Sequence, residues 1–117
     1  MPVWEIVPGL AIADLAGAEE AERQGAVVIN VTERPIGGRP HFPCYNPFDP
    51  QLRARLVEFI EGRLREGRRV VVHCEGAVDR SPDAVITYLM EKRAMSYEEA
   101  WRLVSSRKAV NRHPEWH

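Results

Sequence analysis

Apolar positions along the chain follow two rhythms. Residues 3–7 and 10–13 are short apolar runs on either side of Pro8-Gly9, which predicts two strands joined by a turn. Residues 15–24 carry small apolar residues among Glu, Arg and Gln, which predicts a helix capped by Asp14 and ended by Gly25. Ala26 to Val31 is a β-branched run without clean alternation, the pattern of a strand covered on both faces. From 32 to 50 the chain turns irregular, punctuated by Pro35, Pro40, Pro43, Pro47 and Pro50, with room for a short strand near 44–46. A loop of that length in a small domain is usually functional.

The helical rhythm returns at 50–66, where Leu52, Leu56, Phe59, Ile60 and Leu64 line one face and Gly67 ends the run. Arg68 to His73 reads as a short buried strand. Pro82 suits the first position of a helix running to about residue 93, apolar on most sides and therefore central. Ser96 and Glu99 form a capping box for a last helix over 97–106. Strands alternating with helices predict an α/β domain with a central, mostly parallel sheet of about four to five strands flanked by helices. Chemistry in such folds sits beyond the carboxyl ends of the strands.

Composition narrows the classes. One domain over residues 1–117 accommodates the whole length, and a net charge of −1 gives no basic excess for nucleic acid. No apolar run is long enough to insert in a membrane, and residues 1–5 lack a signal-peptide pattern. Two cysteines, Cys44 and Cys74, are too few for a disulfide scaffold, so a cytoplasmic setting is expected. Fourteen of the sixteen basic residues are Arg, and few amides stand beside nine Pro. That balance leans towards a thermophile, although a GC-rich genome biases towards Arg equally.

The segment after the buried strand reads His73-Cys74-Glu75-Gly76-Ala77-Val78-Asp79-Arg80-Ser81. A strand, a tight loop and a helix start make an anion-binding geometry, in which backbone N–H groups and the helix dipole converge. Those dipoles and Arg80 favour a thiolate at Cys74, which beside a bound phosphate is a nucleophile. Arg80 supplies a planar fork for phosphoryl oxygens, and Ser81 can hydrogen-bond the sulfur. The phosphate cradle would comprise Cys74, Glu75, Gly76, Ala77, Val78, Asp79 and Arg80. No His spacing suggests a metal, and no cofactor is implied.

This segment resembles the Cys-x5-Arg signature of the protein tyrosine phosphatase superfamily, in its dual-specificity branch. Pro8-Gly9-Leu10, Ile29 to Thr32, Tyr45 to Asp49, Ala84 to Met90, Met95 to Ala100 and 107–111 with Asn111 resemble further segments of that branch. The resemblance implies a tyrosine-phosphatase-like fold acting on phosphorylated proteins or peptides through a cysteinyl phosphate. The length corresponds to that core with its insertions pared away. It also implies Asp49 as general acid, His73 and Asn111 as supporting residues, and a shallow pocket admitting phosphotyrosine, phosphoserine and phosphothreonine. Two positions depart from the pattern. Ala77 stands where the family usually has Gly, and an L-residue in a left-handed backbone there costs roughly 1–2 kcal/mol. Asp79 stands where Ser, Thr or Gly is common.

Each assignment has a plainer competitor. Cys74 could be a small buried hydrophobe at a strand end. Asp49 could simply cap the 50–66 helix. Asp79 is a reserve acid, an echo of lipid phosphatases, or, as favoured here, a structural group bonding loop amides. His73 is expected to orient the loop. Cys44 is expected to be inert, with a disulfide to oxidised Cys74 the alternative. Arg34, Arg39 and His41 either rim the pocket or are solvated loop charges. The three Trp are read as packing. Two further functions stay open: a phosphoinositide or small phosphoester phosphatase, and a phosphate-binding pseudophosphatase. An arsenate reductase would want more cysteines. A monomer is the default.

Overall fold

The computed structural model describes residues 2–43 and 49–117. Strands β1 (Val3–Val7), β2 (Leu10–Ala13), β3 (Val27–Asn30) and β4 (Val70–His73) form one sheet in the order β1-β2-β4-β3. The β1–β2 hairpin is antiparallel, closed by the Pro8-Gly9 turn with Gly9 at φ +86°. Both other pairings are parallel, with Ala13, His73 and Asn30 in register. The carboxyl ends of β2, β4 and β3 are therefore level, and the segments that follow them emerge together. The expected short strand near 44–46 lies outside the described residues.

Helices α1 (Leu15–Arg23), α2 (Pro50–Arg65), α3 (Arg80–Lys92) and α4 (Tyr97–Arg107) cover the sheet. Alternation along the strands sorts the side chains. Leu10, Ile12, Val70 and Val72 join Leu56, Ile60, Val85, Leu89 and Val104 in the larger core. Ala11, Ala13 and Val71 face Ala18 and Ala21 of α1 in a thinner one. Alanines set that spacing, and Gly17 sets its limit: a Cβ there would lie 2.3 Å from the Pro2 carbonyl oxygen.

The helix ends follow from their residues. Asp14 accepts from the Gly17 N–H at 2.8 Å, and Ser96 with Glu99 forms the reciprocal capping box. One boundary differs from expectation. α3 begins at Arg80, so Pro82 is its third residue rather than its first. The first intrahelical bond runs from the Asp83 N–H to the Asp79 carbonyl at 3.1 Å. A proline at the third position still costs no helix hydrogen bond, because the opening N–H groups have no intrahelical acceptor.

Candidate active site

β4 delivers Cys74 to the level carboxyl edge of the sheet, and α3 starts six residues later. Among the described residues, no backbone N–H from 75 to 81 finds an acceptor. Orphan donors at a helix start attract an anion. They border a cavity of about 260 Å³ lined by Cys74, Glu75, Gly76, Val78, Asp79 and Arg80. Cys74 is 5% exposed, and its sulfur lies 3.2 Å from the Ser81 hydroxyl.

Ala77 lies outside that lining. It is buried with φ +57°, the left-handed conformation foreseen for this position, while Gly76 does not adopt a positive φ. Ala77 therefore carries backbone strain that a glycine would not.

Arg80 leans to the side of the cavity, where its Nη2 donates to Glu33 Oε1 at 3.1 Å. Asn30 arranges this contact. Its side chain accepts from the N–H and hydroxyl of Thr32 at 2.8 and 2.6 Å and donates to the Arg34 carbonyl at 2.7 Å. The resulting turn presents Glu33 to the loop. A second cavity of about 470 Å³ opens there, lined by Thr32 to Ile36 and Leu15 and sharing Glu75 and Arg80 with the first.

Asp79 is held by the C-terminal segment. Its Oδ1 accepts from Asn111 Nδ2 at 2.8 Å and faces His113 Nε2 at 2.7 Å. Asn111 also donates its N–H to the Val78 carbonyl at 2.9 Å. The favoured structural role thus has other partners than expected: two side chains from 111–113, not loop amides. Burial pushes the Asp79 carboxyl up, but the bonds from His113 and Asn111 outweigh it and leave the group below its ordinary range. Burial likewise pulls His113 down, and Asp79 and Glu115 together bring it above its ordinary value. The His113 ring stacks on Trp116, centroids 3.8 Å apart.

Asp49 is not among the residues lining these two cavities. It is exposed and caps α2, accepting from the Gln51 N–H at 2.9 Å. Cys44 and Tyr45 to Phe48 lie outside the described residues. Of the three suggested rim residues, Arg34 lines the second cavity. Arg39 is neither rim nor solvated: its side chain is 4% exposed, because it is drawn into a bidentate pair with Glu22. His41 bonds the Thr32 carbonyl at 2.8 Å. The described residues contain no cluster of three or more His, Cys, Asp or Glu able to hold a metal, and no helix long and apolar enough to cross a membrane.

Glu33 and His113 are the site residues that sequence reasoning missed. Glu33 was findable, since it follows a strand whose carboxyl end must meet the loop. His113 had no local signal.

The family model for the catalytic domain of dual specificity phosphatases matches residues 48–115, more than half of the chain. The chain belongs to this family. Dual specificity protein phosphatase 5 of Rattus norvegicus is 37% identical over 54 residues, covering 46% of this chain and 14% of that protein. Dual specificity protein phosphatase 12 of Mus musculus is 37% identical over 134 aligned residues, covering 96% of this chain. This chain spans only 39% of the length of that relative. Human DUSP28 superposes with a TM-score of 0.79 at 24% identity, over 99% of this chain and 88% of that one. The human tyrosine phosphatase-like serine/threonine/tyrosine-interacting protein gives a TM-score of 0.80 at 23% identity, over 98% and 90% of the two chains. At these identities the structural likeness is one of fold.

Proposed function

We propose that this dual-specificity phosphatase domain hydrolyses phosphomonoesters on protein substrates, phosphotyrosine first and phosphoserine and phosphothreonine besides, with no cofactor. The observation that carries this is the run of backbone N–H groups from 75 to 81 without acceptors, closed around Cys74 and Arg80.

The Cys74 thiolate attacks phosphorus, forming the S–P bond as the ester P–O bond breaks. Loop amides and Arg80 hold the phosphoryl oxygens and stabilise charge in the transition state. Asp49 gives a proton to the leaving oxygen. The same carboxylate then takes a proton from water as that water attacks phosphorus and the S–P bond breaks. Ser81 donates to the departing sulfur. The free thiol on which this depends fits a reducing, cytoplasmic setting.

The two cavities together present three carboxylates, Glu33, Glu75 and Asp79, against Arg34 and Arg80. A polyphosphorylated lipid headgroup would meet more repulsion than attraction there, which favours a singly phosphorylated side chain over a phosphoinositide.

Hydrolysis of a small aryl phosphate by wild type, Cys74→Ser, Asp49→Asn and Asp79→Asn tests this reading. Wild type should turn over, and Cys74→Ser should not. Asp49→Asn should lose on the order of 10²–10⁴-fold, the worth of a general acid, and Asp79→Asn much less. Wild-type turnover at background would leave a phosphate-binding pseudophosphatase. A larger loss in Asp79→Asn would transfer the acid role to Asp79.

A further inference from the structure

Beneath the phosphate loop lies a buried polar chain that the hydrolytic steps above do not use. His73, the last residue of β4, is fully buried. Its Nδ1 lies 3.3 Å from the Cys74 carbonyl oxygen, and its Nε2 lies 3.2 Å from Nη1 of Arg39. A guanidinium can only donate and a carbonyl can only accept. The two contacts are satisfied together by one tautomer alone, with the proton on Nδ1 and a bare Nε2.

Arg39 is itself fixed. Its Nε and Nη2 donate to the two carboxylate oxygens of Glu22, at 3.0 and 3.1 Å, in the bidentate fork that makes such pairs directional. Glu22 sits on α1 and is half-exposed, whereas Arg39 is not. The Pro-punctuated loop carries Arg39 to this place by backbone bonds. The Arg39 N–H donates to the Ile36 carbonyl at 3.2 Å. The Asn30 N–H donates to the Pro40 carbonyl, and the Phe42 N–H to the Asn30 carbonyl, each at 2.9 Å. Residues 40–42 therefore lie alongside the end of β3, and the Arg39 side chain reaches both His73 and Glu22 of α1.

We propose that the Arg39–Glu22 pair is a positioning unit that locks His73 as its neutral Nδ1–H tautomer, and through the His73–Cys74 carbonyl bond sets the peptide from which the phosphate loop springs. The proposal rests on the reading of Cys74 as nucleophile, but adds two residues outside the region matched by the family model. Were the tautomer reversed, Nε2–H would point at the guanidinium and the Cys74 carbonyl would lose its donor. Were His73 doubly protonated, two cations would stand in contact inside the protein. Burial already holds the ring below its ordinary value, and the Arg39 charge adds to this against the Cys74 carbonyl bond and the Glu22 charge. Glu22 supplies the compensating charge that lets Arg39 be buried at all. The pair thus ties α1 and the 32–43 loop to the nucleophile, and a Lys at 39 could make only part of this arrangement.

Two measurements on the ligand-free protein, neither needing turnover, decide the matter. The first is the pair of imidazole ¹⁵N shifts of His73 against pH. The second is the pH profile of Cys74 alkylation by iodoacetamide. Wild type should show a protonated Nδ1 and a bare Nε2 throughout the neutral range. In Arg39→Met, His73 should show mixed tautomers or a protonated fraction by about pH 6, and the alkylation rate near neutrality should change by about threefold or more. Arg39→Lys should restore the tautomer in part. Glu22→Gln is the milder variant should Arg39→Met fail to fold: with the fork broken it should mix the His73 tautomers and change the alkylation rate, while loss of the Glu22 charge keeps the protonated fraction low. Wild-type shifts and superimposable alkylation profiles in folded Arg39→Met, or in Glu22→Gln if that alone folds, would reduce the pair to packing and overturn the proposal. Absence of aryl phosphate turnover in wild type would instead count against the hydrolase reading and leave the His73 result standing.

Discussion

Arg80 has to serve a dianion, yet in the free protein one of its nitrogens already donates to the Glu33 carboxylate. Both side chains are partly solvated, 36% and 56% exposed, so the pair is weak as a stabilising contact. Its larger effect is on the incoming phosphate, which meets a second negative charge at the same guanidinium. Glu33→Gln keeps an acceptor for Arg80 and removes that charge. KM for an aryl phosphate should fall by about two- to fivefold, with kcat little changed; a raised KM would mean that Glu33 chiefly orients Arg80. Ala77 gives a second residue-scale prediction. The left-handed backbone sits at 77, and an added Cβ at 76 would meet nothing closer than Val78 Cγ2 at 3.8 Å. Exchanging the two, as Gly76→Ala with Ala77→Gly, leaves the unfolded chain's freedom almost unchanged and removes the strain. After the loss of one buried methyl, the double variant should be more stable by about 1 kcal/mol in urea titration. A destabilised double variant would show that the Ala77 methyl packs for more than the backbone strain costs.

Elements were legible where local patterning and burial agree. The β-branched run at 27–30, the leucine face of α2 and the capping box of α4 each carry their own signal, and the structure places all three within a residue or two of expectation. The start of α3 was less legible, because Arg80 and Ser81 are set by the loop that they close and not by the helix rhythm. Asp49 as an N-cap and Cys74 at a strand end could be read locally. The partners of Asp79, Arg39 and Glu33 could not, since each is reached through pairings 17 to 47 residues apart in sequence. Close packing of α1 against the first strand gives the element-scale prediction. Ala at 17 would suit a helix by propensity, but its Cβ would lie 2.3 Å from Pro2 O and 2.9 Å from Val3 Cγ2. Backbone cannot yield as a flexible side chain would. Gly17→Ala should therefore destabilise the fold by about 1–3 kcal/mol in chemical denaturation. An unchanged midpoint would mean that the N-terminal residues move aside freely.

Two histidines connect the whole molecule to pH, in opposite senses. His73 is buried neutral, and its folded value lies below the ordinary value of about 6.5. Its contribution to stability is complete above that value and is lost as pH falls through the window beneath it. His113 is the reverse case. Its value is raised by Asp79 and Glu115 in spite of burial, so its contribution is complete below about 6.5 and lost as pH rises through the folded value. Asp79, held below its ordinary range, keeps its charge across both windows. The two losses fall on opposite sides of about pH 6.5, so together they make stability highest near that value and lower on either side. The difference between wild type and His113→Gln isolates the clamp, because His73 is common to the two proteins and cancels. That difference should be largest near pH 5.5 and should shrink towards pH 8 as His113 loses its proton and the ion pair with Asp79 becomes an ordinary hydrogen bond. Urea titrations at the two pH values measure it. A difference that does not vary with pH would show that His113 holds Asp79 without its charge. The clamp on the residue before Arg80, joined through Asn111 to Val78, would then be steric and not electrostatic.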